Sequence, residues 1–485
     1  MTITNLEPAH LWKHFDEIRK IPHCSGNEEG LGNYVLEFAK KRKLEAHRDA
    51  NGNILVRVPA TSGHEQAPVV VLQGHLDMVG EKNSDVAHDF SKDPIQLRKD
   101  GDWLMAQGTT LGADNGIGLA AALAIVDSED AIHGPLELLF TVDEEVGLTG
   151  AGKLEPSFLK GRLLLNLDSE ELGAVYIGCS GGGDSTIHLP IGASAAPAGS
   201  TAVKVKVAGL RGGHSGIDIN EQRGNAIQIL ARTLANAGRE VPFALSGING
   251  GNKRNAIPRE AEATVTVKEA DLETFARGVN REIEKIKQEL SGVDPGLTVH
   301  VDTSAEKPGK VMDAKTRNAA INMLLAIPHG VSAMSLAVPG LVETSNNLAT
   351  VATSADTLTI GTSSRSSVSS ALQAVRDRIR SVGELAGADV EENTPYPGWK
   401  PDPNSKLLGI VKNAHKKLFG KEPAVKAIHA GLECGIIGEK FPGMEMVSFG
   451  PHIEHPHSPE ERVNIPSVEK FNQLLRAVVA ELAER

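Results

Sequence analysis

Cysteine is scarce in this chain of 485 residues. Only Cys24, Cys179 and Cys434 occur, an odd number at wide spacing, which argues against a disulfide framework and fits a reducing, cytoplasmic setting. No cysteine metal motif exists, and a lone cysteine is usually a small buried hydrophobe rather than a nucleophile. Long apolar runs are missing as well. "AALAIV" and "VVVLQ" are short and bounded by polar residues, far below the roughly 20 apolar residues that a membrane-spanning helix needs. The opening "MTITNLEPAHLWKHFDEIRKIPHCSG" has neither the basic start nor the continuous apolar core of a secretory signal, and its pattern predicts an amphipathic helix. Positive charge is in deficit: 50 Lys and Arg against 62 Asp and Glu give a formal net charge of −12. With no basic patch carrying interleaved aromatics, neither nucleic acid nor an anionic membrane is an expected partner. The glycine-rich "CSGGGDS" lacks the Lys-Ser/Thr ending of a phosphate-binding loop.

What is present is the composition of an ordinary globular protein, 40% hydrophobic and 23% charged, in a chain long enough for two or more folding units. Between residues 50 and 180, short β-like runs ("NILVRV", "PVVVLQ", "LELLFTV", "RLLLNL") alternate with helical text such as "GIGLAAALAIVDS". That order predicts an α/β fold with a largely parallel sheet flanked by helices. At 179–200 the Gly-, Ala-, Ser- and Pro-rich "CSGGGDSTIHLPIGASAAPAGS" reads as a crossing between domains. A β-α-β-β-α-β order follows from "TAVKVKVAGL" to "LTVHVDT", then further helices and strands up to "ADVEEN", which could be a partial second copy although no sequence repeat supports it. After the proline-rich joint "NTPYPGWKPDPNS" the α/β character returns. We therefore expect a discontinuous catalytic domain, 1–183 and 394–485, interrupted by an inserted α+β lid domain at 184–393.

One grammar recurs in the α/β part. "VVVLQGHLDMV" ends an apolar run with His75 and Asp77, "LELLFTVDEEVG" with Glu144 and Glu145, "RLLLNLDSEE" with Asp168, and "EMVSFGPHIEHPHSPEE" with a histidine cluster. "TLGADNGIGLAAALA" sets Asp114 before a long apolar helix. Strand C-terminal ends are where open α/β sheets bind ligands. Each residue alone has an ordinary explanation: an aspartate before a helix is commonly an N-cap, and an acid after a strand is commonly loop. Together, that many carboxylates on one edge would repel one another. A pair of divalent cations removes the conflict, and imidazole with carboxylate but no thiolate suits Zn²⁺, with Co²⁺ or Mn²⁺ as substitutes. Two such ions lower the pKa of the water between them toward ~7.

The ordered set "GHLDMV", "GADNGIG", "TVDEEVG", "NLDSEE" and "HSPEE" closely resembles the M20 family of metallopeptidases, and within it the branch of dipeptidases that accepts Xaa-His substrates. The resemblance spans nearly the whole chain. It implies that His75 and Asp168 bind one metal, that Glu145 and His457 bind the other, and that Asp114 bridges them, with two Zn²⁺ per subunit. It also implies a cis peptide bond after Asp114, Asp77 as the carboxylate that orients His75, and Glu144 as general base. His452 and His455 are read as a polar loop.

In the inserted domain, the resemblance casts His214 of "GLRGGHSGIDI" as a donor to the oxyanion of the tetrahedral intermediate, and Asn255 of "NGGNKRNAIPREA" as a substrate contact. Turn chemistry is the plainer reading of both. Arg365 of "TLTIGTSSRSSVSS" would clamp a dipeptide's C-terminal carboxylate. His429 and Glu433, at helical spacing in "KAIHAGLECGIIG", border the substrate pocket in related enzymes, with capping and packing as the alternative for Glu433. The function implied is metal-dependent hydrolysis of dipeptides, β-alanyl-histidine included, by a homodimer joined through its lid. A deacylase of N-acyl amino acids is the runner-up on the same site. A non-catalytic metal-bound scaffold predicts a missing ligand or base, and none is missing. A two-metal phosphodiesterase would need basic residues that the metal motifs lack.

Overall fold

The computed structural model describes residues 3–306 and 308–485. The chain divides into two compact units: one comprises the residues up to Cys179 with Trp399–Ala427 and Leu432–Arg485, the other Ser180–Gly398 with Ile428–Gly431.

In the first unit an eight-stranded mixed sheet runs in the order Glu45–Arg48, Ile54–Val58, Leu136–Thr141, Val70–His75, Leu163–Asn166, Glu445–Ser448, Ala174–Cys179, Ala424–Ile428. Its centre is parallel: Val70–His75 pairs in parallel with both Leu136–Thr141 and Leu163–Asn166, and Leu163–Asn166 with Glu445–Ser448. Val70–His75 and Leu136–Thr141 are buried at every position, so they are continuous apolar runs rather than alternating ones. Helix Ala113–Asp127 is likewise buried from Asn115 to Ile125. Its small residues permit that depth, since a Cβ at Gly118 would stand 2.6 Å from the Leu167 carbonyl oxygen. Leu55, Val71, Leu139, Leu164, Ile437 and Phe441 belong to one packed cluster. Cys179 and Cys434 are buried, Cys24 is partly exposed, and all three are free thiols. No helix is long and apolar enough to cross a membrane among the described residues.

The second unit centres on a nine-stranded sheet, Thr298–Asp302, Ser200–Ala208, Ala261–Lys268, Ala244–Gly250, Val342–Thr353, Thr357–Ser366, Gly181–Pro190, Asp389–Glu392, with Gly330–Met334 paired to Val342–Thr353. Helices Ala226–Glu240, Leu272–Glu289, Ala314–Ala326 and Ser369–Ala386 contribute to its core through Leu230, Ile283, Leu324 and Ile379. Asn225 caps the first of these helices, its side chain accepting from the amides of Ile227 and Gln228. The glycine-rich text expected to be a crossing between domains begins where the second unit does, at Ser180, and forms strand Gly181–Pro190, hydrogen-bonded to Thr357–Ser366 and Asp389–Glu392. Glycine serves close approach there rather than flexibility: a Cβ at Gly181 would lie 2.4 Å from the Tyr396 carbonyl oxygen.

Candidate metal centre

Parallel register brings the strand ends together. His75 pairs with Thr141, so the turn carrying Glu144 and Glu145 starts beside Leu76 and Asp77, and Gln73 pairs with Asn166, two residues before Asp168. Asp114 sits in the first turn of helix Ala113–Asp127 with non-helical angles (φ −82, ψ 109), and the peptide bond to Asn115 is cis. His457 lies on the loop between the short paired strands Ile453–Glu454 and Arg462–Asn464.

The resulting contacts are between imidazoles and carboxylates. His75 Nε2 lies 3.1 Å from Asp114 Oδ1 and 3.2 Å from Asp168 Oδ1. His457 Nε2 lies 3.2 Å from Asp114 Oδ2 and 3.0 Å from Glu145 Oε2. Asp114 thus offers one oxygen to each imidazole and joins two sets, His75–Asp114–Asp168 and Asp114–Glu145–His457, each with ligand atoms within 4.8 Å of one another. Glu144 belongs to neither, although one oxygen of it comes within the same distance of His75 and Glu145. Asp77 is buried beside His75: its Oδ1 is 3.4 Å from His75 Nδ1, which is also 2.9 Å from the Asp77 carbonyl oxygen. The same carboxylate accepts from Ser25 Oγ at 2.8 Å and from the amides of Glu144 and Glu145 at 3.0 and 3.1 Å. One side chain thereby fixes both the imidazole and the acidic turn.

The imidazoles and carboxylates of this set shift one another's pKa values. Burial works to lower His75, but Asp168, Asp114 and Asp77 hold it well above its ordinary value. Hydrogen bonds to Asp114 and Glu145 lift His457 to about 11. Burial lifts Asp168 to about 7, His75 opposing. It also pushes Glu144 well above the carboxylate range, His75 again opposing and Asp168, Glu433 and Glu145 adding to it. Glu145 Oε1 is buried and has no hydrogen-bond partner among the described residues. A buried carboxylate oxygen without a partner, beside imidazoles and further carboxylates grouped within ligand distance, is a donor set that fits a divalent metal.

Further residues surround this set that their motifs did not single out. Glu461 accepts hydrogen bonds from the Asp114 loop, and burial, joined by Asp114 and Asp168, lifts Glu170 to about 8. Both lie within quoted motifs, "HSPEE" and "NLDSEE", and only their spacing from His457 and Asp168 could have marked them. His452 contacts Glu454 at 3.2 Å and His455 is exposed, away from either ligand set.

Of the remaining expected residues, Glu433 belongs to the first unit, while His214, Asn255, Arg365 and His429 belong to the second. His214 Nδ1 accepts from the amides of Gly216 and Ile217 at 3.2 and 3.0 Å. Its proton therefore resides on Nε2, while burial and Arg365 lower its pKa. Arg365 is 9% exposed, and its Nη1 donates to the Tyr396 hydroxyl at 3.2 Å. His429 Nε2 is 2.7 Å from Ser345 Oγ, and burial, with Arg365 and His214 nearby, brings it down to about 3. Asn255 is exposed, its carbonyl accepting from the Ser215 amide at 2.8 Å. The helical spacing expected of His429 and Glu433 is not realised. Leu432 is extended (φ −141, ψ 151) and the helix begins only at Glu433. Glu433 is fully buried and accepts from Gln73 Nε2 at 2.6 Å and Thr141 Oγ1 at 2.7 Å.

Fold and site together define a class: an α/β protein whose parallel strand ends carry a candidate metal centre of two ligand sets sharing one aspartate. The chain belongs to peptidase family M20/M25/M40, whose family model matches residues 71–481. It is accordingly a hydrolase of peptide bonds. It is 44% identical over 480 residues to the cytosol non-specific dipeptidase of Escherichia coli (strain K12), covering 99% of both chains. It is similar, at 43% identity and a TM-score of 0.94, to the crystal structure of aminoacylhistidine dipeptidase from Vibrio alginolyticus, covering 99% of this chain and 98% of that one. Aminopeptidase PepT from Bacillus cereus, at 16% identity, TM-score 0.58 and coverage of 99% of both chains, shares the fold.

Proposed function

We propose that the protein is a dizinc dipeptidase acting on Xaa-His dipeptides, β-alanyl-histidine among them. The observation that carries this reading is the division of Asp114, one oxygen toward His75 and Asp168 and the other toward His457 and Glu145. Likeness over the full chain to a non-specific dipeptidase and to an aminoacylhistidine dipeptidase supports the substrate class.

His75, Asp114 and Asp168 would hold one zinc and Asp114, Glu145 and His457 the other; bound there, the pair supplies Lewis acidity and a water acidic enough to be deprotonated near neutrality. Asp77 keeps the His75 imidazole oriented with Nε2 toward the centre. Glu144, outside both sets, takes the proton of the attacking water and returns it to the leaving amine. In the second unit, which we read as the lid, His214 presents Nε2–H as a donor for the developing oxyanion, since its Nδ1 is occupied by two amides. Arg365 receives the C-terminal carboxylate and Asn255 contacts the substrate backbone. A cytoplasmic homodimer joined through that unit completes the proposal.

Parallel assays of β-alanyl-histidine, other Xaa-His dipeptides and N-acetyl amino acids, with and without chelator, test it. Chelator-sensitive hydrolysis of the dipeptides is expected. Turnover confined to N-acetyl amino acids would replace the dipeptidase by a deacylase, and inactivity on every substrate would defeat the reading.

A further inference from the structure

Glu461 is 2% exposed, yet among the described residues no cationic side chain pairs with its carboxylate. Instead it accepts from four consecutive backbone amides some 350 residues earlier. Oε2 takes Leu111 N at 2.7 Å and Gly112 N at 3.1 Å, and Oε1 takes Ala113 N at 2.8 Å and Asp114 N at 3.3 Å. These amides lie in the loop and kinked turn ahead of the regular part of helix Ala113–Asp127, where Asp114 and Asn115 depart from helical angles. Gly112 supplies the left-handed turn (φ +71) that aims them at one point. Both oxygens are fully used, and the chain they hold is the one that carries Asp114.

The other end of the link is equally short. Glu461 stands four residues after His457, in a turn closed by the Glu461 amide donating to the Ser458 carbonyl at 3.0 Å, with His457 itself at φ +60. Asp114 and His457 come from distant parts of the sequence, yet a single carboxylate ties their two loops. We infer that Glu461 is a positioning residue of the metal centre: it sets the placement of Asp114 against His457, and with it the affinity of the half formed by Asp114, Glu145 and His457. The half containing His75 and Asp168 shares only Asp114 and depends on Glu461 less. This inference rests on the dinuclear reading above.

Glu461→Gln keeps the size of the side chain but retains one acceptor oxygen and turns an NH₂ group toward amides that themselves donate. Glu461→Asp keeps the charge and shortens the reach. Zinc uptake by the metal-free proteins, measured against a chromophoric chelator, is the readout, with the visible spectrum of the cobalt-loaded forms reporting the geometry of each half. Wild type should take up two tight equivalents. Glu461→Gln should keep one and bind the second at least tenfold more weakly, the range seen when groups that orient ligands are removed. Glu461→Asp, which should fold even if the glutamine variant does not, is expected to weaken the same equivalent with an altered cobalt spectrum. Two equivalents of wild-type affinity and unchanged spectra in both variants, whatever their melting temperatures, would overturn the inference and leave Glu461 a purely structural tie. Fewer than two equivalents in the wild type would defeat the dinuclear reading instead.

Discussion

Glu144 and Glu145 are adjacent in sequence and opposite in surroundings. Glu145 turns one oxygen to His457 at 3.0 Å, whereas Glu144 is absent from the two sets that share Asp114, meets only His75 and Glu145 in a third group, and carries the raised pKa. Glu144→Ala should therefore retain two zinc ions by metal analysis and lose turnover by several orders of magnitude. A variant that loses stoichiometric zinc would make Glu144 a ligand rather than the base. Asp143, the third acid of the triplet, has φ +53 and accepts from Thr149 Oγ1 at 3.1 Å, so its contacts are those of the turn. A second residue-scale prediction concerns acid. His329 Nδ1 accepts from Asn225 Nδ2 at 3.2 Å, and burial brings its pKa to about 4. The unfolded chain binds that proton near 6.5, so stability is complete above that pH and lost as pH falls through the window from about 6.5 to about 4, by about 2 kcal/mol at pH 5. His329→Gln offers Asn225 an oxygen that does not titrate. It should flatten the loss between pH 7 and pH 5 in urea unfolding, and an unchanged pH slope would exclude His329 as its source. Histidines and acids at the strand ends point to metal chemistry by their types alone. Glu461 and Ser25 do not, because their significance lies in partners, four loop amides and the Asp77 carboxylate, that no local pattern encodes.

Elements were legible where burial imposes a pattern. Continuous apolar runs gave the central strands, and the small-residue run gave helix Ala113–Asp127, because a doubly covered sheet leaves no polar face to interrupt them. The text of strand Gly181–Pro190 marks where the second unit begins but not that it is a strand, since its glycines answer to the approach of Tyr396 and Arg376 from elsewhere in the chain. Similarly, the spacing of His429 and Glu433 suggests a helical face, but the backbone is still extended at Leu432. Close approach between elements also yields a prediction. Strands Leu163–Asn166 and Glu445–Ser448 run in parallel, and Ser169 Oγ, just past the first, meets Ser448 Oγ at the end of the second at 2.6 Å. A Cβ at Gly450 would fall 1.7 Å from the Ser169 carbonyl oxygen, a backbone atom next to Asp168 that has little room to retreat. Gly450→Ala should cost roughly 1–3 kcal/mol, the range for inserting bulk into a packed interior. It should also weaken zinc binding by moving Asp168. Urea unfolding of the metal-free protein separates the two effects, and wild-type stability would mean that the two loops part without strain.

At the scale of the molecule, the first unit is assembled from both ends of the chain. His75, Asp77, Asp114, Glu144, Glu145 and Asp168 precede the second unit in sequence, while Glu433, His457 and Glu461 follow it. The motif order made this discontinuity legible, because the last motif returns to α/β text after a long stretch of different character. The charge balance that holds the ends together is a property of the folded unit alone. On the dinuclear reading proposed above, metal binding and folding of this unit would be linked: divalent cations would take the place of protons on His75 and His457 and offset the burial that raises Asp168 to about 7. Free zinc at 100 times its dissociation constant should stabilise the unit by about 2.7 kcal/mol per independent site. Because the imidazoles must give up protons first, affinity should rise with pH, and calorimetric titrations in buffers of different ionisation enthalpy should register net proton release. Hydrogen exchange localises the effect: on chelation, amides at 111–114, 144–145 and 457–461 should lose protection, while those of helix Ala226–Glu240 in the second unit serve as the internal reference. Loss of protection that is equal in both units, or zinc uptake without proton release, would contradict a centre built from these imidazoles and carboxylates.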